Sequence, residues 1–150
     1  MSSFLYTPEG PLSYEEKGTW VYLVVGLVTY AAYLVRLVDL ADGRALVDTP
    51  YAAALLWAVG ISVALSVLGR VVVAVAEPGD RHRGDVRDRE IDRRGEYVGG
   101  LLVAVGMVLP FALALGEARH FWIANAMYAV FTLGAVAGSL VKLHAYRRGF

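Results

Sequence analysis

The sequence predicts an all-α integral membrane protein, a single four-helix transmembrane bundle over residues 1–150. Four mostly apolar stretches of about 20 residues fill more than half of the chain, and helices of that length rise about 30 Å, the thickness of a bilayer's hydrocarbon core. The charged residues, 19% of the chain, cluster between these stretches. The predicted spans are Gly18–Leu37, Tyr51–Gly69, Tyr97–Gly116 and Phe121–Val141.

Local signals support each helix in turn. Ser13 followed by Glu16 is typical of a capping box at the start of the first helix, and Pro50 suits the first position of the second. Pro110 removes one backbone hydrogen bond from the third helix and predicts a kink in its outer half. Only Glu117–His120 joins the last two helices, which predicts an antiparallel hairpin.

The second helix continues apolar beyond Arg70, past the length needed to span. One interpretation is a tilted helix whose Arg70 extends toward the headgroups. The other places Arg70 at the mouth of a polar cavity, paired with a carboxylate of the central loop.

The distribution of basic residues predicts the orientation. Both termini and the central connection lie on one side of an even-numbered bundle and carry eleven Lys and Arg residues, against three on the opposite side. The positive-inside rule therefore places both termini in the cytoplasm. The eleven are Lys17, Arg70, Arg81, Arg83, Arg87, Arg89, Arg93, Arg94, Lys142, Arg147 and Arg148, and the three are Arg36, Arg44 and Arg119.

Composition excludes several function classes. Basic and acidic residues number 14 each, so net charge does not favour nucleic acid, and the lack of cysteine excludes disulfides and thiolate chemistry. The acidic N-terminal segment does not resemble a removable signal peptide. The middle of every span lacks Asp, Glu, His and Lys, which disfavours proton-coupled transport. Hydrolase, zinc-protease and nucleotide-binding motifs are also lacking, so we expect no enzyme, cofactor or metal site.

The central connection, Glu77–Glu96, predicts a cytoplasmic extension of the third helix, because no proline interrupts its second half. Asp85 with Arg89, and Glu90 with Arg94, have the i,i+4 spacing that stabilises a helix.

This extension has two interpretations, a solvated helix at the membrane surface or a docking surface for a cytoplasmic protein. Ile91, its lone large apolar residue, should face either the bundle or that partner. Asp85, Asp88 and Asp92 share a face, but the arginines between them disfavour a metal site. The candidate partner-binding residues are Asp85, Arg89, Ile91 and Arg93.

Polar residues follow one face of three spans, and depth divides them into two groups. The inner group contains Tyr22, Ser66, Arg70, Ser139 and Lys142. The outer group contains Tyr30, Tyr33, Arg36, Trp57, Asn125 and Tyr128. The outer group predicts either interhelical hydrogen bonds with an interfacial aromatic belt or an outward-facing pocket. The candidate ligand-binding residues of that pocket are Tyr33, Arg36, Asn125 and Tyr128.

Gly134 and Gly138 form a small-xxx-small pattern that favours close helix packing. Glycines at 99, 100 and 106 are candidate counterparts. The contact could lie within one chain or between two copies, so homo-oligomerisation remains an open alternative.

Two segments carry a resemblance to known proteins: Asp85-Val-Arg-Asp-Arg-Glu-Ile-Asp-Arg-Arg-Gly95, and the helix from Phe121-Trp-Ile-Ala-Asn125 through Lys142 to Tyr146-Arg-Arg-Gly-Phe150. The chain resembles uncharacterised small bacterial four-transmembrane-helix proteins with an acidic, arginine-rich loop before the third helix. The likeness covers the second half of the chain, whereas the first half is alike only in its number of spans. It implies four-span topology in a bacterial inner membrane and supplies no activity.

The leading hypothesis is a non-enzymatic membrane protein that acts through helix–helix assembly and its charged juxtamembrane helix, as a sensing or regulatory partner. The expected partners are membrane lipid, a second copy or a cytoplasmic protein, and not nucleic acid. The alternative is a transporter or channel subunit with an outward-facing pocket for a small polar or anionic ligand.

Overall fold

The computed structural model describes residues 14–76 and 86–148, and these residues are helical apart from short connections. The elements are α1 (Tyr14–Ala41), a 3₁₀ turn (Leu46–Asp48), α2 (Tyr51–Ala76), α3 (Val86–Gly106), α4 (Val108–Leu115) and α5 (His120–Arg148). With α3 and α4 taken as one span, the described part of the chain contains four helices that are long and apolar enough to cross a membrane. The all-α, four-helix prediction is confirmed.

The helices exceed their predicted spans. α2 runs seven residues past Gly69 to Ala76, and α3 begins at Val86, about three turns before the apolar stretch at Tyr97. The predicted extension of the third helix is therefore present. Ser13, which would complete the capping box, lies outside the described residues.

The third span is interrupted at Met107, between α3 and α4. Proline at 110 has no N–H to donate to the carbonyl of Gly106, four residues earlier, so the hydrogen-bond ladder is broken at this point. Pro110 itself is buried.

Both tight turns at helix ends use left-handed backbone. α1 ends at Ala41, followed by positive φ at Asp42 (48°) and Gly43 (76°). Glu117, with φ of 53°, occupies the position that glycine usually takes after a helix. The N–H of Ala118 donates to the carbonyl of Leu113 at 2.9 Å, which closes this turn and reverses the chain into α5.

The helices pack in the order α2, α1, α5, then α3 with α4. α1 lies between α2 and α5, and α5 lies between α1 and the third span. Among the described helices, α2 and α3 make no extensive contact, so the bundle is open along one side. We call the end where α1 and α3 begin and α2 and α5 finish the terminal end, and the opposite end the hairpin end.

Most large apolar side chains face outward, as expected of helices surrounded by lipid. Leu56, Trp57, Val72 and Val75 on α2 are all more than 60% exposed. A cluster of buried apolar residues lies at the hairpin end. It contains Tyr33, Leu37, Ala58 and Phe121.

Candidate functional site

A groove of about 380 Å³ lies at the terminal end, in the gap between α2 and α3, and we call it the terminal groove. α1 and α5 form its base, since residues of all four elements line it. Tyr22, Arg70, Ser139 and Lys142, four of the five residues in the inner polar group, line this groove. Ser66, the fifth, is buried and is not among the lining residues.

Arg70 forms the α2 side of the terminal groove. One Nη donates to Glu15 at 3.3 Å, and the guanidinium carbon lies 5.3 Å from the centroid of the Tyr22 ring. The guanidinium lies against Gly18, where a Cβ would be in ordinary van der Waals contact with the Arg70 Nε at 3.5 Å. The side chain thus crosses from α2 onto α1. Arg70 lines a polar groove as one sequence interpretation proposed, but its described ion-pair partner belongs to α1.

Lys142 and two carboxylates form the opposite side. The Lys142 ammonium donates to Asp92, and its Nζ lies 3.9 Å from Glu96. The Lys142 side chain is only 18% exposed, whereas those of Asp92 and Glu96 are 50% and 70% exposed. This network joins α3 to α5 and leaves Glu96 open to solvent or ligand.

Glycines line the base of the groove on the α3–α5 side. A Cβ on Gly99 would lie 2.8 Å from the carbonyl oxygen of Gly134, and one on Gly138 would lie 2.8 Å from that of Gly95. These four residues bring two backbones into direct contact, and Gly134 and Gly138 pack within the chain. The counterpart is Gly95 with Gly99, because Gly106 packs against Val130 and Gly100 faces open space. Gly95, the first residue of this second GxxxG pattern, precedes the predicted third span, which begins at Tyr97, so it was not among the predicted counterparts.

The start of α3 has one anchored face and one exposed face. Ile91 is fully buried, so it packs inside the bundle and is inaccessible to a partner, which corrects its assignment as a partner-binding residue. Arg89 and Arg93 are exposed, and Arg93 donates to Glu90 at 3.3 Å, an i,i+3 pair. Asp85 lies outside the described residues.

The four residues assigned to an outward-facing ligand pocket do not line one cavity. The Tyr33 hydroxyl, in a residue only 2% exposed, donates to the Asn125 side-chain oxygen at 2.6 Å. The Asn125 amide donates to the Phe121 carbonyl at 2.8 Å, and the Tyr33 and Tyr128 rings meet edge to face at 5.4 Å. These contacts join α1 to α5, as the alternative of interhelical hydrogen bonds expected.

Arg36 lies apart from this junction. Its guanidinium donates to Asp39 at 2.5 Å on the same helix, and both side chains are more than half exposed. Arg36 and Tyr33 do line a second groove, of about 460 Å³, between α1 and α2 at the hairpin end. Trp57 lines it too, but Asn125 and Tyr128 do not.

Histidine and carboxylate side chains form no group of three that could hold a metal ion in the part of the chain that the structure describes. No protein-family profile, curated protein sequence or solved structure matches this chain.

Proposed function

We propose that this chain is a non-enzymatic protein of a bacterial inner membrane that acts by presenting the start of α3 to a cytoplasmic protein. The observation that carries the proposal is the anchoring of this helix to the bundle. Ile91 is fully buried, and Lys142 holds Asp92 from the neighbouring helix, while Arg89 and Arg93 face outward.

The distribution of basic residues supports the orientation. The terminal end carries eleven of the 14 Lys and Arg residues, and this is the end from which α3 projects. Under the positive-inside rule that end is cytoplasmic. Fusion of a fluorescent protein and of a periplasmic phosphatase to the C-terminus tests this, with fluorescence and no phosphatase activity expected.

The exposed face of α3 supports a partner with carboxylates on its surface. Arg89 makes no ion pair with another described residue, and the single pair of Arg93 leaves most of its guanidinium donors available. Arginines on an anchored helix are suited to bidentate contact with carboxylates, because the guanidinium fork is planar and the backbone that carries it is already ordered.

Self-assembly has less support from the geometry. Gly134 and Gly138, the pattern that favoured it, contact α3 of the same chain. A homo-oligomer would therefore have to use a different face, such as the exposed apolar side of α2.

Co-purification from native membranes in mild detergent tests the proposal. We expect a cytoplasmic protein to be recovered with the unaltered chain and lost with the double variant Arg89→Glu, Arg93→Glu. Arg44→Glu, a charge reversal at an exposed site of the hairpin end, should leave recovery unchanged. Equal recovery with all three chains would contradict the proposal. The orientation survives in both variants, because at least nine basic residues remain at the terminal end.

One observation favours the alternative, a transporter or channel subunit. The groove between α1 and α2 has Arg36 at its edge and a mainly apolar lining, which suits an amphipathic anion. Flux of such anions into proteoliposomes should fall for Arg36→Ala and not for Arg44→Ala if this function is correct. Equal flux for the Arg36→Ala and Arg44→Ala variants would exclude a role of Arg36 in transport.

A further inference from the structure

The charged residues of the terminal groove lie at one depth in the bundle. Counted along each helix from the hairpin end, Arg70 is about 28 Å from the start of α2, Glu96 about 28 Å from the end of α4, and Lys142 about 33 Å from the start of α5. A hydrocarbon core is about 30 Å thick. If the hairpin end lies at one membrane surface, these side chains lie at the headgroup level of the other.

The groove opens sideways toward lipid. The gap between α2 and α3 forms its mouth, and no extensive contact between these helices closes it. Gly100 lines the groove, and a Cβ added there would meet nothing within 4 Å. The α3 wall of the groove is therefore open at Gly100 to a molecule that extends from the headgroup level into the hydrocarbon.

The lining carries separated charges of both signs. Arg70 stands on the α2 side, while Asp92, Glu96 and Lys142 stand on the α3–α5 side. The two cations and two carboxylates of the lining sum to zero, and Glu15, which pairs with Arg70, adds a further negative charge beside it, so the groove gives no net attraction to an anionic molecule. A zwitterion suits this arrangement, because its anionic group can meet Arg70 on one side while its cationic group meets the carboxylates of α3 on the other.

Two of the four groups retain binding capacity. Arg70 makes one ion pair with a described residue, to Glu15 at 3.3 Å, and a guanidinium has five N–H donors. The only described contact of Glu96 with a cation is 3.9 Å long, and its side chain is 70% exposed. Lys142 and Asp92 are engaged with each other and position the α3 side of the groove.

We propose that the terminal groove binds the headgroup of a zwitterionic phospholipid with a primary ammonium, of the phosphatidylethanolamine class. The phosphate oxygens accept hydrogen bonds from Arg70, and the ammonium donates to Glu96. The acyl chains run toward the hairpin end in the gap between α2 and α3. This site is separate from the exposed α3 surface and does not depend on the function proposed for that surface.

Native mass spectrometry of the full chain released from detergent micelles tests the proposal. The probes are phosphatidylethanolamine, phosphatidylglycerol and glycerophosphoethanolamine, which has the headgroup but no acyl chains. We expect one phosphatidylethanolamine to be retained per chain at concentrations where the other two are not. Retention of phosphatidylglycerol to the same extent, or saturation by the soluble headgroup, would overturn the proposal.

Two variants with matched controls locate the site. Arg70→Gln with Glu96→Gln removes both binding charges, and we expect affinity to fall about tenfold or more, as for the loss of charge-assisted hydrogen bonds. The control, Arg87→Gln with Glu90→Gln, makes the same two changes at exposed residues of the same end of the chain that do not line the groove. Equal retention in the two double variants would overturn the assignment.

Gly100→Leu tests the groove sterically, since its side chain enters open space and fills the gap without clashing with the fold. Gly60→Leu is its control, because Gly60 also has open space around it and does not line the groove. We expect Gly100→Leu alone to lose the retained lipid while both variants keep the thermal stability of the unaltered chain. Undiminished retention by a stable Gly100→Leu protein would contradict the site.

Discussion

At the hairpin end, aromatic rings fill the space where α1, α2 and α5 meet, whereas at the terminal end bare glycine backbones join α3 to α5 beside an open, charged groove. Tyr51 and Phe121 meet edge to face at 5.1 Å in the first region. In the second, Gly99 and Gly134 approach so closely that a Cβ on Gly99 would be 2.8 Å from a carbonyl oxygen.

The difference shows two ways of joining helices where lipid supplies no hydrophobic driving force. In a bilayer, association depends on van der Waals contact and interhelical hydrogen bonds, since lipid tails are as apolar as leucine. Aromatic side chains achieve this contact by filling space at larger helix separations. Glycines achieve it because they have no side chain, so two backbones can touch. The same lack of side chains leaves a groove beside the contact, since α2 does not pack extensively against α3.

The largest expected effect is at the glycine contact. Gly99→Leu forces a branched side chain between two backbones, and such overpacking should destabilise the bundle by about 3 kcal/mol or more. Thermal unfolding in detergent, followed by size-exclusion chromatography, measures the loss.

Gly100→Leu is the control for that substitution, because it makes the same change one residue along α3, where a Cβ meets open space. If both variants unfold at the same temperature, close α3–α5 packing is not what stabilises the terminal end.

A smaller effect is expected at the ion network. Lys142→Glu places a third carboxylate beside Asp92 and Glu96 in a partly buried position. The cost should be about 2 kcal/mol, between that of a surface pair and that of a broken buried pair. The same thermal assay measures it, and the loss should decrease in high salt because screening weakens like-charge repulsion.

Arg93→Glu provides the comparison for the ion network, since the Arg93 side chain is 80% exposed and its pair with Glu90 contributes little. A loss in Arg93→Glu as large as that in Lys142→Glu would mean that net charge, and not the local network, determines stability at this end.

The smallest of the three effects is expected at the hairpin end. Tyr33→Phe removes the donor to Asn125 but keeps the ring contacts with Tyr128, so the loss should be about 0.6–1.7 kcal/mol, the range for interhelical hydrogen bonds in membranes. A double-mutant cycle with Asn125→Leu isolates the hydrogen-bond contribution. Tyr97→Phe, at an exposed tyrosine of α3, should have no effect.

Most of the fold could be predicted from the sequence. Span length, the interruption before Pro110 and the short connection at Glu117–His120 are local properties, and each corresponds to a feature of the structure. The extension of α3 past its apolar part was also predictable, because no proline separates Val86 from the span.

The candidate site was less predictable, because it combines residues from four elements. The inner polar group pointed to Arg70 and Lys142, but Asp92 and Glu96 looked like part of a solvated charged helix. Ile91 was unpredictable for the same reason. Helical periodicity shows on which face of α3 it lies, but the packing of the other helices determines whether that face is buried.

By itself, the sequence determined that this chain forms four long apolar helices with charges confined to their ends, because helix length and the cost of burying charge in lipid depend on local composition. Only the tertiary structure decided the order α2, α1, α5, α3 and the opening between its outer members. A lipid-facing surface and a helix-facing surface are both apolar, so composition does not distinguish them. Close backbone contact distinguishes the helix-facing surface, and it occurs only where the glycines of one helix lie opposite the glycines of another.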